Sequence, residues 1–199
     1  MRSRTLKTSG LSAAGLLFFL LAILLCTSPP SLSFGQSGPE GQHPRLRILV
    51  VHGPNLNLLG RREPGVYGTT TLDQINERLQ KLATELNVEL ITVQSNHEGV
   101  LVDAFQKHID DVDGAIINPA GYSQHSVALH DVIKAVPFPV IEVHISNLGT
   151  RDEIHRGSVI TPAAKGTVMG LGWRSYTAGL RALVEIIREE KEKRGGHKS

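Results

Sequence analysis

Cysteine is all but missing from this chain of 199 residues: the only one, Cys26, sits inside an apolar N-terminal run. The part that folds therefore has no disulfide and no cysteine-ligated zinc site. A surplus of either charge is missing too. Net charge is +2 with histidine neutral, and no long basic run crosses the body, so nucleic-acid binding gains no support. The glycine-rich stretch 165–172 holds neither GxGxxG nor a P-loop lysine, which leaves a nucleotide-binding reading weak. Internal repeats are absent as well. What remains is an ordinary balance, 40% apolar with a mean hydropathy of -0.07, enough for one globular domain and a tail. Histidine is the residue in surplus, with nine copies, and it is the side chain most easily set to titrate near neutrality.

The one long hydrocarbon run, residues 16–25 (LLFFLLAILL), follows Arg2, Arg4 and Lys7 and precedes Ser33-Phe34-Gly35, small residues flanking a cut before Gln36. Basic, apolar and small-residue regions in that order describe a secretory signal peptide over residues 1–35. The run is short against the roughly 20 residues of a stable bilayer span, and an uncleaved membrane anchor is the alternative. Cys26 lacks the small neighbour that a lipoprotein cut requires. Residues 36–46 read as a flexible linker, residues 47–188 as the domain, and residues 189–199 as a charged tail that frays. Export to the periplasm, or attachment to the membrane through the N-terminal segment alone, is the expectation.

The body begins with Ile48-Leu49-Val50-Val51, a short apolar run of the kind found in a buried parallel strand. His52-Gly53-Pro54 stops it, and a long polar loop follows with Asn55, Arg61, Arg62 and Tyr67. Thr70 or Thr71 opens a helix over residues 72–86, whose apolar positions fall at helical spacing. Further strands are expected at 88–93, 115–117, 140–143 and within 163–171, with helices at 100–109, 126–135 and 173–190. Strands alternating with helices indicate a parallel sheet covered on both faces. Five strands suit the flavodoxin-like order 2-1-3-4-5, with ligands at the carboxyl ends beside the switch point.

Three polar clusters would meet there. Tyr67 lies five residues beyond Arg62 and six beyond Arg61; a guanidinium folded onto the phenol favours the phenolate, a possible general base. Found alone, the same residues read better as a tyrosine packed in a loop beside surface arginines. His144 ends an apolar strand two residues after Glu142, on the same face, so the carboxylate can orient the imidazole and hold it protonated. A histidine satisfied by a neighbouring carbonyl is the plainer alternative. Ile145 and Ser146 follow, with backbone N–H groups and a hydroxyl suited to a carboxylate. Asn55, Asn118, Gln124, His125, Asp131, His155 and Arg156 supply amides for hydroxyls or water, and charge for an acid. The histidines fall on separate loops without an HxH or HxxxH pair, which makes a metal site a poor reading.

Taken together, GPNLNLLGRREPGVYGTTTL, QSNHEG, INPAGYS and EVHISN resemble the type II 3-dehydroquinate dehydratases over residues 47–185. The resemblance implies a flavodoxin-like protomer assembled as a homododecamer of four trimers. It implies a cofactor-free, metal-free anti-elimination of water from 3-dehydroquinate to 3-dehydroshikimate. By position, Tyr67 matches the base, Arg62 the residue that activates it, and Asn55 the amide holding a water at the enolate. His144 matches the acid and Glu142 its orienting partner; Asn118, Asp131, Ile145 and Ser146 match substrate contacts. Three positions depart from the family pattern. Gln124 stands where a histidine is usual, with His125 displaced by one; His155 stands where an arginine is usual, with Arg156 displaced by one; and His130 replaces an arginine. Gln124 is expected to keep donating to a hydroxyl and Arg156 to reach round into the site. Weaker substrate binding or an altered substrate range follows, with the acid–base pair intact. The alternative is a family member that has lost catalysis and acts as a ligand-binding or assembly protein. A flavin or nucleotide module on the same fold is the third reading.

Overall fold

The computed structural model describes residues 45–196. The signal-peptide expectation, and all but the end of the linker, lie outside the described residues. Among these, no helix is long and apolar enough to cross a membrane.

The apolar run at 48–51 forms the middle of β1 (Leu46–His52), and Ile48, Leu49, Val50 and Val51 are all 0% exposed. It lies inside a parallel sheet with β2 (Val88–Gln94), β3 (Gly114–Asn118), β4 (Val140–His144) and β5 (Gly166–Met169). The order is β2-β1-β3-β4-β5, the flavodoxin-like arrangement that the alternation of elements predicts. A continuous apolar strand is the signature of a sheet covered on both faces. Ile48, Val50 and Ile116 meet α2 (Leu72–Glu85) and α5 (Arg174–Gly195), whereas Leu49, Val51 and Ile117 meet α3 (Glu98–Lys107) and α4 (Val127–Ala135). Each fully buried aliphatic side chain of this kind contributes about 1.5–3 kcal/mol of transfer free energy.

The helix starts are chemically marked. Thr71 accepts from the Gln74 amide N–H while the Gln74 side chain accepts from Thr71, a reciprocal cap on α2. The Ser126 hydroxyl caps α4 through Leu129. These caps fix where two long loops hand over to helices. The last helix departs from its expected end at Glu190 and continues to Gly195. Ion pairs Lys165–Glu190 (3.1 Å) and Lys191–Asp113 (2.7 Å) tie its far end to the body. Lys193 and Arg194 in its last turn complement the helix dipole. The expected fraying of residues 189–199 therefore does not extend to residues 189–195.

β1 hands the chain leftward to β2, and its other neighbour is β3, so a crevice opens beyond the carboxyl ends of β1 and β3. Gly53 is what lets the two chains approach there. Its N–H donates to the Asn118 carbonyl at 2.8 Å, and a Cβ at this position would run into the Pro119 backbone.

Candidate active site

The loop after β1 sets Tyr67 in place by backbone chemistry. Asn55 takes a left-handed conformation, φ 64°, which Asn tolerates better than most residues, and its N–H is held by the Asn96 side chain at 2.9 Å. A four-residue helix α1 (Pro64–Tyr67) then starts on proline and ends at Gly68, φ 77°. This turn carries Tyr67 to the crevice. Arg62 Nη2 lies 3.4 Å from the Tyr67 hydroxyl and its guanidinium 5.0 Å from the ring centre. Arg151 approaches from the other side, with Nη1 3.2 Å from the same hydroxyl and 3.1 Å from Ser146 Oγ. Two cations therefore converge on one phenol oxygen.

Across the crevice, Glu142 and His144 point to the same side of β4. His144 Nε2 meets Glu142 Oε1 at 2.8 Å, with the histidine 4% exposed and the glutamate 0%. Ser158 also donates to Oε1, and Thr161 and Thr167 donate to Oε2. Burial works to raise the Glu142 carboxyl, but the hydrogen bonds from His144, Ser158 and Thr161 overcome it and hold the group below the usual carboxylate range. Glu142 is thus a buried anion whose acceptor capacity is fully used, and it fixes the tilt of the imidazole at the cavity wall. The cavity measures about 220 Å³ and is lined by Asn55, Arg62, Tyr67, Asn118, His144, Ile145, Ser146 and Arg151 among others. Leu56, Leu59 and Leu148 form its apolar wall.

Residues 46–184 match the family model described as dehydroquinase class II. The chain belongs to the class II dehydroquinases. It is 48% identical over 149 residues to a 3-dehydroquinate dehydratase of Desulforudis audaxviator, covering 75% of this chain and 99% of that protein. A 3-dehydroquinate dehydratase of Roseiflexus castenholzii is 50% identical over 139 residues, or 70% and 88% of the two chains. The crystal structure of a type II dehydroquinase from Butyrivibrio crossotus superposes with a TM-score of 0.69 at 36% identity, covering 71% of this chain and 99% of that one.

In this dehydroquinase most of the residues singled out from sequence meet at one cavity. Tyr67, Arg62, Asn55, His144, Asn118, Gln124, Ile145, Ser146 and His155 line it, and Glu142 stands directly behind His144. Two do not line it. Arg156 turns outward and donates to the Arg151 carbonyl at 3.3 Å. The reason is the tight turn Glu153–His155, closed by Asp152 on the His155 N–H, which faces His155 inward and the next residue away. Asp131 lies on the exposed side of α4, paired with His130 at 3.0 Å. The displaced His125 is also exposed, edge-on to Tyr122.

Gln124 corrects a further expectation. Its Nε2 donates to Ser123 Oγ at 2.6 Å and to the Gly157 carbonyl at 3.2 Å. Both amide hydrogens are used, so it offers the cavity an acceptor rather than a donor. His155 Nδ1 is held by Asp152 at 2.6 Å. Sequence reasoning missed Arg151. The one available signal was its place five residues after Ser146, at the head of the acidic pair Asp152-Glu153. Among the described residues, no three His, Cys, Asp or Glu side chains gather as metal ligands.

Proposed function

We propose that this chain dehydrates 3-dehydroquinate to 3-dehydroshikimate, the activity named for its relatives. One observation carries the reading: a phenol between two guanidinium groups faces a carboxylate-held imidazole in a single cavity. Tyr67, its hydroxyl held by Arg62 and Arg151, removes the proton beside the ketone. Asn55 holds a water against the enolate oxygen, and His144 protonates the departing hydroxyl while Glu142 keeps the ring oriented. Each positioned proton transfer of this kind is worth about 10²–10⁴ in rate. Water leaves, Tyr67 is left protonated and His144 neutral, and a proton must pass between them before the next turnover. Arg151, Ser146 and the Ile145–Ser146 backbone receive the substrate carboxylate. All of these roles fall to side chains and backbone, and no cofactor enters.

Asp131 can contact a substrate only from a neighbouring protomer, since it does not line its own cavity. That is how the contact implied by the family resemblance would be met, and it fits a homododecamer whose sites are completed across subunits. With Gln124 presenting an acceptor and Arg156 turned away, the ring hydroxyls and carboxylate lose a charge-assisted contact worth about 1.5–3 kcal/mol. The consequence is a raised KM or a shifted substrate range. A signal peptide over residues 1–35 would place the enzyme outside the cytoplasm, acting on 3-dehydroquinate formed there, as in quinate or shikimate breakdown.

The test is ultraviolet detection of 3-dehydroshikimate from 3-dehydroquinate, with residues 36–199 purified in the presence of chelator. Turnover supports the elimination by side chains alone. A folded, assembled protein that binds the substrate in calorimetry without converting it would overturn the reading in favour of a ligand-binding or assembly protein. N-terminal sequencing of the exported form, expected to begin at Gln36, checks the signal peptide.

A further inference from the structure

Beneath the cavity a polar chain crosses the apolar layer between the sheet and α5. His52 ends β1, Asn118 ends β3, and the two are register partners. Strand alternation puts both on the face of Ile48, Val50 and Ile116, the face that α2 and α5 cover. Tyr176, near the start of α5, packs its ring 5.3 Å from that of His52. The Tyr176 hydroxyl lies 3.0 Å from His52 Nδ1, and His52 Nε2 lies 3.0 Å from Asn76 Oδ1 on α2. His52 and Tyr176 are 0% exposed, and Asn118 2%. Three aliphatic or aromatic groups of similar shape would fill this space without any desolvation cost. The proposed chemistry uses neither His52 nor Tyr176.

The direction of each hydrogen bond follows from its partners. The Asn76 amide oxygen only accepts, so Nε2 of His52 carries the hydrogen. Burial pushes the His52 pKa down to about 4, the Asn76 bond offsetting only part of this, so the ring is neutral and Nδ1 accepts. The Tyr176 hydroxyl must then donate to Nδ1, leaving its oxygen an acceptor toward Asn118, which neighbours His52 across the strands and faces the same side. Asn118 Oδ1 is already occupied by the Ala120 N–H at 3.1 Å. That bond also holds Ala120 in its left-handed conformation, φ 50°. Nδ2 of Asn118 is therefore the group turned to Tyr176, and its second hydrogen is free for the cavity that Asn118 lines.

We propose that Tyr176 and His52 are positioning residues which lock the Asn118 amide so that it meets the ligand as a hydrogen-bond donor. The ligand atom it selects is then an accepting oxygen: a hydroxyl lone pair, a carbonyl or a carboxylate. The identity of that ligand rests on the dehydratase reading; the polarity of Asn118 does not.

Two measurements on the full assembled protein test this. The first is steady-state kinetics of Tyr176→Phe, Asn118→Ala and the double variant. Tyr176→Phe should raise KM about tenfold, the worth of one neutral hydrogen bond, with kcat within about twofold. The double variant should be no worse than Asn118→Ala alone, because Tyr176 acts through Asn118. Additive KM effects, or a fall in kcat at constant KM, would overturn the proposal. The second measurement needs no turnover and no core substitution in the sample being read. Solid-state nitrogen-15 spectra of histidine-labelled protein, with His52 assigned by difference from His52→Gln, should show a neutral ring protonated on Nε2 from about pH 5 upward. A proton on Nδ1 refutes the chain of donors. Wild-type protein without turnover counts against the dehydratase reading alone, and the tautomer still decides this one.

Discussion

Replacing Glu142 by glutamine tests the acid half of the site without changing its volume. The wild-type carboxylate accepts from His144, Ser158, Thr161 and Thr167, and it does not line the cavity. Glutamine keeps one accepting oxygen, and at its NH2 end the hydroxyls must turn round to accept; each bond that loses the charge drops from about 1.5–3 kcal/mol to about 1 kcal/mol. Removing a buried charge returns part of that loss, so the net destabilisation should be about 1–3 kcal/mol. For a chain of this size that corresponds to a Tm lower by about 3–8 °C. Kinetically, His144 loses the carboxylate that orients it, and kcat should fall about 10–100-fold while KM stays within about twofold. Acid unfolding supplies an independent check. The Glu142 pKa is depressed from its ordinary 4.5. Its contribution is therefore fully present above that value and disappears as pH falls through the lower folded value. The glutamine variant should lack this component and be less sensitive to pH below about 4.5. A kcat within twofold of wild type, in a variant whose stability has dropped as expected, would refute the orienting role.

Tyr67→Phe should abolish turnover and leave Tm within about 2 °C, since the half-buried hydroxyl bonds only to arginines; measurable activity would remove Tyr67 as the base. His52 works in a different pH window from Glu142. Its pKa lies at about 4 in the fold against 6.5 for the free side chain, so its stabilisation is present above 6.5 and lost as pH falls toward 4, on the order of 3 kcal/mol in all. Denaturant melts between pH 7 and 4.5 should show this loss in wild type and not in His52→Gln. Gly53→Ala should cost more than about 1 kcal/mol and lower kcat, because the added carbon meets the fixed Pro119 backbone; a neutral Tm would show that the β1 and β3 loops are free to part.

The sheet was legible because its cues are local. Ile48–Val51 and Ala115–Ile117 are unbroken apolar runs, α2 carries its cap at Thr71, and strands and helices alternate throughout. Glu142 and His144 were also readable, since residues two apart on a strand share a face. What sequence could not supply was the path of chain through the loop after β4. Whether 155 or 156 faces inward depends on a turn closed by the Asp152 side chain, and neither composition nor periodicity records that. Arg151 escaped for the same reason, as its partner Tyr67 is 84 positions away. The end of α5 was misjudged because residues 189–195 look solvated, while Lys191 in fact finds Asp113.

The cradle around Glu142 bears on the edge of the sheet as well as on the site. Ser158, Thr161 and Thr167 come from the segment before β5 and from β5 itself, so the edge strand is stitched to the carboxylate behind His144. A buried ion with its polar escort is usually no more stable than an apolar filling of the same shape, so this stitching serves position rather than stability. Here four donors reach the one carboxylate, so β5 cannot slide along β4 without leaving a buried charge short of its partners.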